Sequence, residues 1–150
     1  MITYTSGNLL ASRAQTLANP VNTVGVMGAG LALAFARAFP AILRPYQEAC
    51  RTGTLAIGRP WLYRETEPWI LHFPTKADWR QPSQLRFIAA GLAAFCDTYA
   101  TDGITSAAFP ALGCGYGGLD WGAVRALMAS VLGPLPLSVL VYAPPEGARA

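Results

Sequence analysis

Pro110-Ala111-Leu112-Gly113-Cys114-Gly115-Tyr116-Gly117-Gly118-Leu119-Asp120-Trp121 is the stretch on which the fold turns. Ahead of it, residues 104–109 read as a buried apolar strand broken at Pro110. Behind it, Asp120 stands where a helix cap belongs, and Val124, Leu127, Met128 and Val131 recur at helical spacing. A strand that passes through glycines into a capped helix is the joint from which parallel α/β sheets are built. The carboxyl edge of such a sheet is where ligands bind.

A second joint of the same kind lies upstream. A strand is predicted over residues 16–19, ending at Pro20, and Gly25-Val26-Met27-Gly28-Ala29-Gly30 follows. The next helix carries Leu31, Phe35, Ala38 and Phe39 and stops at Pro40; another is predicted over residues 42–50. Residues 61–63 and 69–73 read as paired strands around a turn at 65–68. Pro82-Ser83 opens the clearest helix, with Leu85, Ile88, Leu92, Phe95 and Tyr99 on one face. Strands at residues 2–5 and 137–142 complete one α/β domain over residues 1–143, a largely parallel sheet with helices on both faces. Residues 144–150 read as a tail or linker, and the abrupt polar ending fits a domain cut from a longer chain.

Composition removes several classes of chemistry. The three cysteines form no CxxC pair and His72 is the only histidine, so no zinc site of the usual kind is expected. A triad hydrolase would have to run through His72, which sits inside an apolar strand and reads as core. No export signal and no membrane-length apolar run is present, which points to a cytoplasmic protein without a membrane partner. The formal charge of +3 is compatible with a polyanionic partner without demanding one. Ten arginines accompany a single lysine, Lys76, at the end of Trp69-Ile70-Leu71-His72-Phe73-Pro74-Thr75-Lys76. Lysine can release its proton where arginine cannot, so Lys76 is a candidate nucleophile or general acid. A solvated surface lysine is the plain alternative.

Glycines at a strand-to-helix joint let the backbone approach a ligand and turn its amides toward one point, and the helix amino terminus adds partial positive charge. Two such joints in one domain, without a Walker lysine or GxGxxG pattern, suggest a diphosphate gripped from two sides. The alternative is that these glycines serve only turns and helix packing.

Gly7-Asn8-Leu9-Leu10, Asn19, Asn22, Met27-Gly28-Ala29-Gly30 and Pro110-Ala111-Leu112-Gly113-Cys114-Gly115 resemble, in that order, the macrodomain family of ADP-ribose-binding modules. Phe73-Pro74-Thr75-Lys76 with Trp79-Arg80, and the long motif from Gly113 to Trp121, are similar to the macrodomains of DarG-type antitoxins. The resemblance implies a three-layer α/β/α sandwich around a mixed sheet, with ADP-ribose across its crest. It places the diphosphate between Met27, Gly28, Ala29, Gly30 and Leu31 on one side and Gly113, Cys114, Gly115, Tyr116, Gly117 and Gly118 on the other. Adenine would lie near Asn8, Leu9, Tyr142 and Pro144 and the distal ribose beside Asn22, with Thr75 also lining the ADP-ribose site. Tyr116 would pack on that ribose or simply cover its loop.

The activity implied is release of ADP-ribose from thymidine in single-stranded DNA, reversing the work of a cognate DNA ADP-ribosyltransferase toxin, DarT. Lys76 would act on the departing thymine or attack the sugar, with Asn22 beside it, and no cofactor is expected. A related human hydrolase of glutamate-linked ADP-ribose pairs its lysine with an aspartate in the second loop, and Gly117 stands at that position here. Trp79 and Arg80 would form a platform for a DNA base and phosphate, or fold against the neighbouring helix. The chain is expected to act as a monomer. Two other activities compete: a non-catalytic ADP-ribose reader, and a hydrolase of ADP-ribosylated glutamate or O-acetyl-ADP-ribose.

Overall fold

A computed structural model describes residues 1–145. Among these, six strands form one sheet: β1 (Ile2–Thr5), β2 (Thr16–Asn22), β3 (Trp61–Tyr63), β4 (Trp69–Lys76), β5 (Ser106–Pro110) and β6 (Ser138–Tyr142). Their order is β1-β6-β5-β2-β4-β3. Every neighbouring pair is parallel except β3 with β4, so the sheet is mixed but largely parallel. Pro144 and Pro145 lie past the last strand, and the rest of the expected tail falls outside the described residues.

Alternation along the strands divides the core in two. Leu71 and Phe73 of β4, with Phe109 of β5 and Val141 of β6, face α3 (Leu85–Asp102) and α4 (Trp121–Leu132). Leu17 and Val21 of β2, with Ile70 and Ala108, face α1 (Gly30–Ala38) and α2 (Leu43–Thr52). The result is the expected three-layer sandwich. No helix among the described residues is long and apolar enough to cross a membrane.

Three local expectations are corrected. β2 does not end at Pro20 but runs on to Asn22. It pairs with β5 only over Thr16 and Leu17, so beyond Ala18 one side of the strand carries no ladder, and a residue without an N–H is tolerated there. The same reason carries β4 through Pro74 to Lys76, because β3 leaves it after His72. On α3, Leu85 is exposed while Phe87 is buried, so the apolar face begins one turn away from where the spacing put it.

Packing between layers is tight where α3 crosses β4. A Cβ on Gly91 would lie 2.4 Å from Phe73 Cζ. Phe73 cannot retreat, because its ring meets Phe109 edge-on at 6.2 Å between centroids. Helix propensity favours alanine by about 1 kcal/mol, yet overpacking of this kind costs about 1–3 kcal/mol. Gly91→Ala is therefore expected to destabilise the fold by up to roughly 2 kcal/mol in urea unfolding. Unchanged stability would mean that α3 is free to shift off the sheet.

His72 is fully buried, as its strand context implied. Its Nδ1 lies 3.3 Å from Asn19 Nδ2 on β2, Trp61 stacks on its ring at 5.5 Å, and Tyr46 lies on it at the same distance. Burial pushes the imidazole down from 6.5 to about 3. A base whose folded value is depressed stabilises the fold fully above its unfolded value, and that contribution fades as pH falls. Unfolding free energy should thus decline between pH 6.5 and 4.5, above most carboxylate titration, and His72→Phe should flatten that slope.

Candidate active site along the sheet crest

Because β1, β6, β5, β2 and β4 run parallel, their carboxyl ends share one edge. At about 4.8 Å per strand, five strands span roughly 19 Å of crest, room for an extended nucleotide-sugar. Asn8 and Tyr142–Pro144 follow β1 and β6 at one end; the second glycine loop follows β5; Asn22 ends β2; Lys76 ends β4, with Trp79 and Arg80 just beyond. The residues picked from the sequence lie on this edge or in loops leaving it, except Gly30 and Leu31, which open α1.

The two glycine loops rise from opposite layers and meet. α1 begins at Gly30 behind exposed Gly28 and Ala29 with no side-chain cap, so its first-turn amides lack a side-chain acceptor. Gly30 has φ +57°, and a Cβ there would come within 3.2 Å of the Tyr116 ring. Tyr116 thus lies over the first loop while remaining 79% exposed. Gly115 and Gly118 are exposed too, whereas Gly113, Cys114 and Gly117 are buried. Burial pushes the Cys114 thiol up to about 11, so this cysteine is packing rather than a nucleophile. Asp120 caps α4 as expected, accepting from Ala123 N at 3.0 Å.

Several side chains are already engaged. Asn8 accepts from Leu10 N at 3.1 Å, capping a short 3-10 turn, and Leu9 and Met27 are core residues whose backbone alone reaches the crest. Asn22 braces its own loop: its Oδ1 accepts from Val24 N at 3.0 Å and its Nδ2 donates to Val26 O at 2.7 Å. The buried Tyr46 hydroxyl lies 2.9 Å from that Oδ1 and 2.8 Å from Asn22 O, one proton shared between two acceptors. Burial raises the Tyr46 phenol far above its ordinary value, so it stays a donor.

Asn22 and Lys76 stand opposite each other in the β2–β4 ladder. Just before them the register slips: Val21 pairs with Pro74, leaving Thr75 as the extra residue of a bulge. Thr75 is buried, its hydroxyl 3.5 Å from Val21 O. Lys76 Nζ donates to Tyr116 O at 3.2 Å and reaches Trp79 O at 3.5 Å. No salt bridge involving it occurs among the described residues, and partial burial holds its amine below the ordinary 10.5. Trp79 is 52% exposed, with Arg80 stacked on it at 5.1 Å; that guanidinium forks onto Asp78, whose carboxyl it holds down at about 2.

The Macro domain family model matches residues 18–128. The chain is a macrodomain. It is 41% identical over its full length to the DNA ADP-ribosyl glycohydrolase of Mycobacterium tuberculosis strain H37Rv, of which it covers 44%. Among solved structures, the macrodomain of Thermus aquaticus DarG superposes with a TM-score of 0.91 at 40% identity, covering 96% of this chain and 99% of that one. Thermosipho africanus DarTG in complex with ADP-ribose superposes at 0.94 with 40% identity, over 99% of this chain and 43% of that one. The chain therefore spans less than half the length of the mycobacterial and Thermosipho proteins it matches.

Within this macrodomain, Gly117 is more than a missing carboxylate. A Cβ there would sit 2.2 Å from Ser83 Oγ and 2.5 Å from Gly113 O. Ser83 also donates its amide to Gly117 O at 3.0 Å, so the β4–α3 segment and the second loop close on each other. No motif signals this contact: Pro82-Ser83 reads as a helix opening, whereas Gln84 holds the cap position. Tyr46 and Thr23 were missed as well. Tyr46 follows Ile42 at core spacing, but the destination of its hydroxyl is a tertiary fact.

Ser83 Oγ is buried without a partner among the described residues. Removing an unsatisfied buried hydroxyl relieves a desolvation penalty of about 1 kcal/mol, so Ser83→Ala should raise the unfolding free energy by that order. Gly117→Ala should lower it by about 1–3 kcal/mol through overpacking. A destabilised Ser83→Ala would show that the hydroxyl has a partner after all.

Proposed function

We propose that this macrodomain is a DNA ADP-ribosyl glycohydrolase that releases ADP-ribose from thymidine in single-stranded DNA, undoing the action of a partner toxin in the cytoplasm. The observation that carries this reading is Lys76: an ammonium at the Asn22 end of the crest, held by two carbonyls, with no carboxylate where position 117 is sealed by Ser83. Its support from relatives is the activity named for the 41% identical mycobacterial protein and the ADP-ribose bound in the Thermosipho structure.

The diphosphate lies between the α1 amino terminus and the Gly113–Gly118 loop, with adenine toward Asn8, Leu9 and Tyr142. Asn22 and Thr75 flank the distal ribose. The bond between the ribose anomeric carbon and the thymine ring nitrogen breaks with its electron pair leaving on the base, and Lys76 gives that base a proton. Water adds to the oxocarbenium carbon, and its surplus proton returns to the amine. A thymine anion leaves less readily than the carboxylate of a glutamate ester, so the proton is needed at the departing base, and Lys76 supplies it without an aspartate at position 117.

The crest suits a nucleic-acid strand in a second way. Val24, Val26, Trp79 and Tyr116 are exposed apolar side chains on the three loops around Asn22 and Lys76. With Arg80 engaged by Asp78, stacking rather than charge would hold flanking bases.

Lys76→Ala and Lys76→Arg should each slow release from a thymidine-ADP-ribosylated oligonucleotide by about 10²–10⁴-fold while free ADP-ribose binds as before. A fully active Lys76→Arg, which keeps charge but cannot release a proton, would sink the acid role. Binding without release by the wild type would make the domain a reader. Trp79→Ala should weaken binding of the modified oligonucleotide by about 1–3 kcal/mol and leave free ADP-ribose unaffected. Equal loss for both ligands would place Trp79 in the nucleotide pocket instead.

A further inference from the structure

Lys76 carries a long flexible side chain, and its two acceptors are backbone carbonyls at 3.2 and 3.5 Å, one of them on exposed Tyr116. The first lies at the long end of an ordinary N–H···O bond and the second beyond it, so the two carbonyls hold the amine without setting its direction. Its direction must come from the backbone that launches it. The bulge at Thr75 has broken the regular ladder one residue earlier, so the end of β4 needs another anchor.

That anchor lies just past the end of β2. Thr23, the residue after Asn22, directs two donors at one acceptor: its hydroxyl reaches Ala77 O at 2.7 Å and its amide reaches the same oxygen at 3.3 Å. The peptide unit between Ala77 and Asp78, one residue beyond Lys76, is thereby gripped just past the last paired residues. The hydroxyl bond is the shorter, and it lies in a partly buried setting where a hydrogen bond is poorly replaced by water. Neighbouring Asn22 is itself immobilised by Tyr46 and by the loop amides, so the grip is mounted on a rigid base.

We propose that Thr23 is a positioning residue for the reaction, its hydroxyl clamping the Ala77 carbonyl so that Lys76 is aimed along the crest beside Asn22. The assignment rests on the reading of Lys76 given above. Thr23 touches neither the leaving base nor the sugar in this role; it acts through the backbone. Placement errors near 1 Å cost about a hundredfold in well-ordered sites, so loss of one clamp bond is a kinetic matter more than a stability one.

Thr23→Val keeps the shape and the amide but removes the hydroxyl, and Thr23→Ser keeps the hydroxyl. With thymidine-ADP-ribosylated oligonucleotide, Thr23→Val is expected to lower kcat at least tenfold with KM and free ADP-ribose affinity unchanged within twofold. Thr23→Ser is expected to retain wild-type kcat. Because Lys76 is the only lysine, reductive methylation with ¹³C-formaldehyde gives one side-chain resonance to follow. That resonance should shift and sharpen in Thr23→Val. A resonance that superposes on the wild type, or a loss of kcat and ADP-ribose affinity together, overturns the proposal. Inactive Lys76→Ala beside fully active Thr23→Val overturns Thr23 alone, whereas activity surviving Lys76→Ala removes the Lys76 assignment and the catalytic role of Thr23 with it.

Discussion

The ladder between β2 and β4 is the constraint from which the rest of the site follows. β2 is the inner strand on which both layers of helices bear, and β4 follows it in register from Thr16 against Trp69 until the bulge at Thr75. Parallel pairing dictates that both strands end on the same edge. The bulge then decides which β4 residue faces Asn22, and a one-residue change there would exchange Thr75 for Lys76. The buried Asn19–His72 pair sits lower in the same ladder and fixes its register, since each has its partner only in this alignment. The cost of those buried polar groups is offset by the definition they give to the crest.

Local signals in the chain are legible where one residue decides the outcome. Asp120 caps α4 because a short acidic side chain before an apolar helical stripe has little else to do. The two glycine loops were visible as strand-to-helix joints. Pro20 and Pro74 were weaker guides, because a proline ends a strand only where the missing N–H would have been paired, and here neighbouring strands had already departed. Leu85 and Phe87 exchanged places for a similar reason: the start of α3 is set by the contact of Ser83 with the second loop, which helical periodicity alone does not encode.

Residues at the crest divide by how they could be found. Lys76 stood out by rarity and Trp79 by context. Thr23, Tyr46 and Ser83 carry no motif, and each contributes by meeting a residue far along the chain: Ala77, Asn22 and Gly117. These contacts are the tertiary part of the site. They are also what distinguishes a glycine loop that merely turns from one held open toward a ligand, since Tyr116 reaches across to Gly30 while its carbonyl receives Lys76.

The closed contact between Ser83 and Gly117 has a consequence for substitution. Any side chain at position 117 meets the Ser83 hydroxyl and Gly113 O, so an acidic residue there fits only where the Ser83 side gives way. The two positions are thus sterically coupled, and what residue 117 can contribute to the crest is decided by what stands at 83.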